Sequence, residues 1–294
     1  MSEALDLDHL RRWIGRQEQA FELLTPTLVA RLNATLDRED PTDEGAEAPL
    51  LIHHCLCQPT TPTASLGPDG HPERGDFLPP VPLPRRMWAG GALTFHAPLL
   101  IGETISRRSV VEDVTLKEGR SGRLCFVTVT HHLESGGRKA LTERQDIVYR
   151  DPANLAPASQ SPANAAPVKA LAARTPQPAD AGEHQRIVTT PAARLFRYSA
   201  LTFNSHRIHY DAPYVTDVEG YPGLVVHGPL QAMLLVQYAA DLRQERPARF
   251  SFRSLSPAFG DRSLAVNARS TDNGFDLWTA EPGGPVAMEA RAEW

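Results

Sequence analysis

The second half of this chain sets one long apolar helix ahead of a run of short strands, and that order restricts the fold more than any other feature. Residues 229 to about 246 read as the helix. Leu230, Met233, Leu234 and Tyr238 share one face at i, i+3, i+4 and i+8, and Ala232, Leu235, Val236 and Ala239 widen it until little of the surface is polar. Such a helix is buried. Pro229 can open it, where a missing N–H is harmless, and Pro247 marks its end. Strand signals follow at 250–255, 263–270 and 274–281. Met288, Ala290, Ala292 and Trp294 then alternate with Glu289, Arg291 and Glu293, the pattern of a half-buried last strand. The expected layout is α+β, an antiparallel sheet wrapped around a central helix.

The first half repeats that order loosely. Leu10, Trp13, Ile14, Phe21, Leu24, Val29, Leu32 and Leu36 give an imperfect helical stripe over 10–36, with Pro26 as an interruption. A short apolar run at 50–57 precedes a Pro- and Gly-rich stretch, 58–84, that reads as a long loop and is therefore mobile or functional. "LCFVTVT" at 124–130 is a central strand, with neighbours around Ile105, at 110–116 and at 141–149. "KEGRSG" at 117–122 and "ESGGRK" at 134–139 read as hairpin turns. The Ala/Pro-rich stretch 151–185 reads as a linker between an N-terminal domain, 1–150, and a C-terminal domain, 186–294, the alternative being a disordered excursion within one domain.

A net charge of -5 and the absence of a long basic run argue against nucleic acid as a partner. No stretch approaches the roughly 20 apolar residues of a membrane span. The polar start "MSEALDLDHLRRW" lacks a signal core, and three cysteines, Cys55, Cys57 and Cys125, make no disulfide framework, so a reducing cytoplasm is expected. "HHCLC" at 53–57 is too tightly spaced for a structural zinc site and no second ligand pair follows, so no metal is expected.

The segment 201–230 carries the chemistry. His209 can act as a base near neutral pH, or serve only to hold its loop. Asn204 can orient water or a carbonyl but cannot exchange a proton. Gly228, ahead of Pro229, lets a ligand approach the free N–H groups that open a helix, where an oxyanion can bind. His227 either touches substrate or fastens the loop beside the helix. His206 is exposed or supports its neighbours, and Tyr210 and Asp211 cap or pack a short helix. Arg85, Arg86 and Trp88 in "LPRRMWAGG" either bind an anionic group or brace an interdomain contact. Arg249 and Arg253, before and within a strand, are further candidates for a phosphate contact.

Four strings, in order, carry a resemblance: "GPDGHPERGDFLPPVPLPRRMWAGG" at 67–91, "KEGRSGRLCFVTVTHHL" at 117–133, "RYSALTFNSHRIHYD" at 197–211 and "GLVVHGPL" at 223–230. The chain resembles the MaoC-like dehydratase/hydratase family, in its double-hotdog branch of mesaconyl-CoA and itaconyl-CoA hydratases, with the 3-hydroxyacyl-thioester dehydratases nearby. The resemblance implies two fused hotdog domains, the first non-catalytic and substrate-shaping, the second catalytic. It places His209 on the family's catalytic histidine and Asn204 where an aspartate usually stands, a departure often found in this branch. It implies reversible hydration of an enoyl-CoA, mesaconyl-CoA (C4 thioester) or itaconyl-CoA giving citramalyl-CoA. His209 would be the base, and could also carry the proton to the α-carbon; Asn204 would hold water and the Gly228 N–H would be the oxyanion donor. No cofactor is implied beyond the coenzyme A of the acyl-CoA substrate, and a homodimer is expected. The alternatives are a longer-chain 3-hydroxyacyl-thioester dehydratase, a thioesterase and a non-catalytic acyl-CoA binding module; fold alone does not separate them.

Overall fold

The structure is a computed structural model that describes residues 5–119, 122–150 and 177–294. Ten strands form one antiparallel sheet in the order β1-β3-β4-β5-β2-β7-β10-β9-β8-β6. The first five are β1 (Gln17–Leu23), β2 (Arg85–Phe95), β3 (Thr104–Gly119), β4 (Gly122–Ser135) and β5 (Arg138–Arg150). The last five are β6 (His184–Thr189), β7 (Arg249–Ser254), β8 (Ser263–Thr271), β9 (Gly274–Ala280) and β10 (Val286–Glu293). Read outward from the centre, the first half runs β2-β5-β4-β3-β1 and the second runs β7-β10-β9-β8-β6. If β1 is matched to β6, β2 to β7 and so on, the two orders are identical. The chain therefore contains one topology twice, joined edge to edge where β2 pairs with β7. No internal sequence repeat announces this symmetry.

Gly90 and Gly91 make that seam close. A Cβ on Gly90 would stand 2.6 Å from the Phe252 carbonyl oxygen, and one on Gly91 would stand 3.0 Å from the Phe252 ring. The seam extends over Gly90–Arg253, Gly91–Phe252, Ala92–Ser251, Leu93–Phe250 and Thr94–Arg249. It converts two open sheet edges, each a row of unpaired backbone groups, into a paired ladder.

The helix α5 (Gly228–Arg243) packs on β7 to β10, and most of its residues from Leu230 to Ala239 are buried. It ends at Arg243 because Gln244 turns left-handed and caps it, a little before the expected end near 246. In the first half the expected helix over 10–36 is instead three elements. They are α1 (Leu7–Arg11), β1 and α2 (Pro26–Leu36). Residues 17–23 pair with β3 as an edge strand, and this ladder overrides the weak helical period. Pro26 does not interrupt a helix but starts one, with Thr25 as its cap accepting from the Leu28 N–H.

One hydrophobic core spans both halves: Leu93, Leu133 and Leu141 belong to the same cluster as Leu230, Leu235 and Phe250. Burying each such side chain is worth about 1.5–3 kcal/mol relative to exposure. A second cluster, with Leu10, Val81, Leu83, Val127 and Tyr149, continues the buried face of β3 to β5 further along the strands. The expected linker lies outside the described residues over 151–176. His184 and Gln185, placed in it by the sequence pattern, already belong to β6 because they pair with Ala268 and Asn267 of β8. Among the described residues no helix is long and apolar enough to cross a membrane.

Candidate active site

A cavity of about 1440 Å³ opens beside the start of α5 and is walled by both halves of the chain. His209 sits in the short 3-10 turn Arg207–His209, between α3 (Ala192–Leu201) and α4 (Ala212–Asp217). The turn is held by Asp211, which caps α4 through the Tyr214 N–H and pairs with Arg207 at 2.8 Å. Arg207 in turn stacks its guanidinium 4.1 Å over the Tyr214 ring. Asp211 thus braces the turn rather than entering the chemistry.

His209 Nδ1 lies 2.7 Å from the Val225 carbonyl. A carbonyl only accepts, so the proton resides on Nδ1 and Nε2 keeps its lone pair. Burial pulls the imidazole down to about 4, against the opposing pull of the Val225 hydrogen bond, so it is neutral at pH 7. His227 lies stacked on it, fully buried, with Nε2 2.8 Å from Ser199 Oγ. His227 is outside the cavity wall, so the structure does not bring it to substrate; its ring backs His209 instead.

Asn204 and Gly228 line the same cavity as His209. Asn204 Oδ1 accepts from the His206 N–H at 3.0 Å, which leaves its amide N–H groups as donors. Gly228 opens α5, where the first N–H groups have no acceptor within the helix. A Cβ at Gly228 would make only ordinary contacts with Ser254 and Met288, so neither backbone nor packing demands glycine there. The bare Cα leaves room for a ligand at that N–H.

The two adjacent arginines differ sharply. Arg85 lines the cavity but is already paired with Glu219, donating to its carbonyl at 3.0 Å and lying 3.2 Å from its carboxylate. Arg86 lines the same wall, and among the described residues no carboxylate lies within ion-pair distance of it. Trp88 lies edge-on between His54 and Phe252 and forms part of the wall. Arg249 and Arg253 are not brought to the site. Alternation along β7 turns them outward, where they pair with Glu293 and Glu289.

Two groups in the wall were not singled out from sequence as site residues. Glu143 is buried between His53 and His54, at 3.1 and 3.0 Å from their Nε2 atoms. These contacts hold its carboxyl well below the usual range against the cost of burial. Cys55 and Cys57 are buried thiols and take no part in this cluster. The second group is Asp69 and His71, brought by the 67–75 loop against His206. "DGH" was visible in the sequence, but only its docking on a distant segment gives it a place in the site.

Comparison with known proteins decides the family. The profile for hydroxyacyl-thioester dehydratase type 2 matches residues 51–260. The chain belongs to that family. It is 42% identical, over 96% of both chains, to the mesaconyl-C(4)-CoA hydratase of Chloroflexus aurantiacus. Its fold is similar to a MaoC-like dehydratase from Phytophthora capsici, at a TM-score of 0.65 and 15% identity over 99% of both chains. It is also similar to a Mycobacterium tuberculosis protein described as having a double hotdog fold, at a TM-score of 0.54 and 14% identity over 95% of both chains. The expected double-hotdog architecture is thus met, and the chain is a hydro-lyase of the hydroxyacyl-thioester dehydratase type 2 family.

Proposed function

We propose that this hydratase adds water to a short dicarboxylic enoyl-CoA, with mesaconyl-CoA (C4 thioester) as the leading substrate and itaconyl-CoA as its near alternative. Hydration of either gives citramalyl-CoA. The observation that carries this reading is Arg86, a guanidinium without a carboxylate partner among the described residues, in the same wall as His209. A free carboxylate on the acyl group supplies that partner. The surrounding wall includes His53, His54, Glu143, Gln145 and Arg107, which favours a small polar acyl group over a long alkyl chain.

In this reading His209 Nε2 takes a proton from water as its oxygen attacks the β-carbon. Asn204 holds that water through its amide. With mesaconyl-CoA (C4 thioester), whose double bond is conjugated with the thioester, charge moves onto the thioester oxygen, where the Gly228 N–H at the positive end of α5 receives it. No resident cofactor is required, because coenzyme A arrives as part of the substrate. A reducing cytoplasm and a homodimer of double-hotdog subunits belong to the same proposal.

The test is incubation of the purified protein with mesaconyl-CoA (C4 thioester), itaconyl-CoA and crotonyl-CoA, followed by mass spectrometry. Water addition favouring the carboxylated thioesters supports the reading. Preference for crotonyl-CoA, release of free CoA, or no addition to any of the three overturns it.

A further inference from the structure

The 67–75 loop belongs to the first half of the chain yet forms part of the wall around His209. It is seated through its own backbone carbonyls. The Arg207 N–H donates to the Asp69 carbonyl at 2.9 Å, and the Arg207 guanidinium donates to that of Pro68 at 3.0 Å. Ser205 Oγ donates to the Gly70 carbonyl at 2.5 Å. Gly70 has φ +87°, and a Cβ there would overlap the Ser205 carbonyl, so the seat admits only glycine.

This seat delivers one side-chain pair. The Asp69 carboxylate accepts from the His71 backbone N–H at 3.0 Å and from His71 Nδ1 at 2.9 Å. The proton is therefore on Nδ1, and Nε2 is the free proton-exchanging atom. The His71 ring lies 4.1 Å from that of His206, which in turn meets His209 edge-on at 5.4 Å. His71, His206 and His209 all line the cavity. Hydration involves two proton movements, one at each carbon of the double bond, and Asn204 can carry neither.

We infer that the Asp69–His71 pair is the second acid–base group of this site, supplied by the first half of the chain. His71 exchanges the proton at the α-carbon while His209 serves the water at the β-carbon. This rests on the hydratase reading. In hydration, a water O–H bond breaks, its proton goes to His209 Nε2 and a C–O bond forms at the β-carbon. The π pair moves through the α-carbon to the thioester oxygen. It then returns to form a C–H bond with the Nε2 proton of the His71 imidazolium, whose N–H pair falls back on the ring and leaves the neutral Nδ1–H form. His209 has gained one proton and His71 has lost one; transfer back through His206, which lies between them, or through solvent closes the cycle.

The charged and titratable groups facing His71 are Asp69 and Arg74 from its own loop, Arg86 from β2, and His206 and His209 from the second half. Burial first, then Arg86, hold its free imidazole down at about 4, and Asp69 opposes them. A substrate carboxylate seated on Arg86 cancels the opposing cation. Substrate binding thereby favours the imidazolium that the second step uses, which links the specificity group to the chemistry.

His71→Asn tests this, because its amide can still donate to Asp69 while Nε2 is gone. With whichever thioester the wild type hydrates best, kcat is expected to fall about 100-fold or more, with KM held within about threefold and an unchanged circular dichroism melt. Asp69→Asn removes the carboxylate that stabilises the imidazolium, so the alkaline limb of its kcat–pH profile is expected to move to lower pH. A His71→Asn variant with kcat within about threefold of wild type, a loss residing wholly in KM, or an unmoved kcat–pH profile for Asp69→Asn overturns the inference. A wild type that hydrates no enoyl thioester overturns the hydratase reading instead, and is seen before any variant is compared.

Discussion

His209 and His227 lie face to face, with ring centroids 3.6 Å apart and planes inclined by 17°. Only His209 reaches the cavity; His227 is fully buried behind it. Two stacked imidazoles cannot both carry charge in such a place, and His227 is held well below its ordinary range by burial, then by His209. The rear ring therefore acts as a neutral plate that fixes the plane of the front one. His227→Ala would leave a void behind His209 and remove the Ser199 contact. We expect it to destabilise the fold by about 3 kcal/mol and to lower kcat more than KM changes. Thermal melts and steady-state kinetics on the same preparation check both; a variant with wild-type kcat would show that the stack has no positioning role.

Arg86 and Arg85 provide a matched pair of substitutions, since they are adjacent but only Arg85 is paired with Glu219. Arg86→Gln is expected to raise KM for a carboxylated enoyl-CoA about tenfold or more, since a charge-assisted bidentate contact is worth about 1.5–3 kcal/mol. Its KM for crotonyl-CoA should stay near that of wild type. Equal losses on both substrates would place Arg86 at the coenzyme A moiety instead.

β4 was read as a central strand because apolar residues occupy both its faces, and it does lie between β3 and β5. Only one of those faces is fully buried, through Cys125, Val127, Val129 and Leu133; Leu124 and Phe126 opposite are half-buried. The helix α5 was readable because nearly all its faces are apolar. β1 was not, because an edge strand with Phe21 and Leu23 exposed has no buried face to impose a period of two. The same logic separates the site residues. His209, Asn204 and Gly228 lie close enough in sequence to be read as one segment. His71 lies 138 residues before His209 and joins it only because Gly70 fits against Ser205. Arg249 and Arg253 were misplaced because a basic residue carries no mark of which sheet face it will occupy.

Glu143, 1% exposed, accepts from two imidazoles at once. Each histidine in the pair Glu143–His53 and Glu143–His54 donates through Nε2, so removing the carboxylate strands two buried donors. Glu143→Ala is expected to cost about 3–5 kcal/mol, read as a lower denaturant midpoint with an unchanged slope. Glu143→Gln should recover part of that, having one acceptor oxygen where two are needed. An alanine variant as stable as wild type would mean that water replaces the carboxylate there.

Acid should unfold this protein through its buried histidines before its carboxylates. His53, His131 and His209 are pulled by burial from an ordinary value of 6.5 down to about 4. The unfolded chain therefore binds more protons than the native one between those two values. Stability rises with pH across that window and levels off above it, so it is fully present near neutrality and drains away as pH falls from about 6.5 toward 4. Each such histidine accounts for a loss on the order of 3 kcal/mol by the bottom of the window. Glu143, whose carboxyl is held below 4.5 in the folded state, adds its own loss only at still lower pH. Thermal melts at about pH 7, 6 and 5 should show Tm falling progressively, most steeply in the last interval. Replacing His131 by Gln, which cannot be protonated, should flatten that slope. A Tm constant from neutrality to pH 5 would mean that these imidazoles take up protons in the native state, and that His209 is not the neutral base its burial implies.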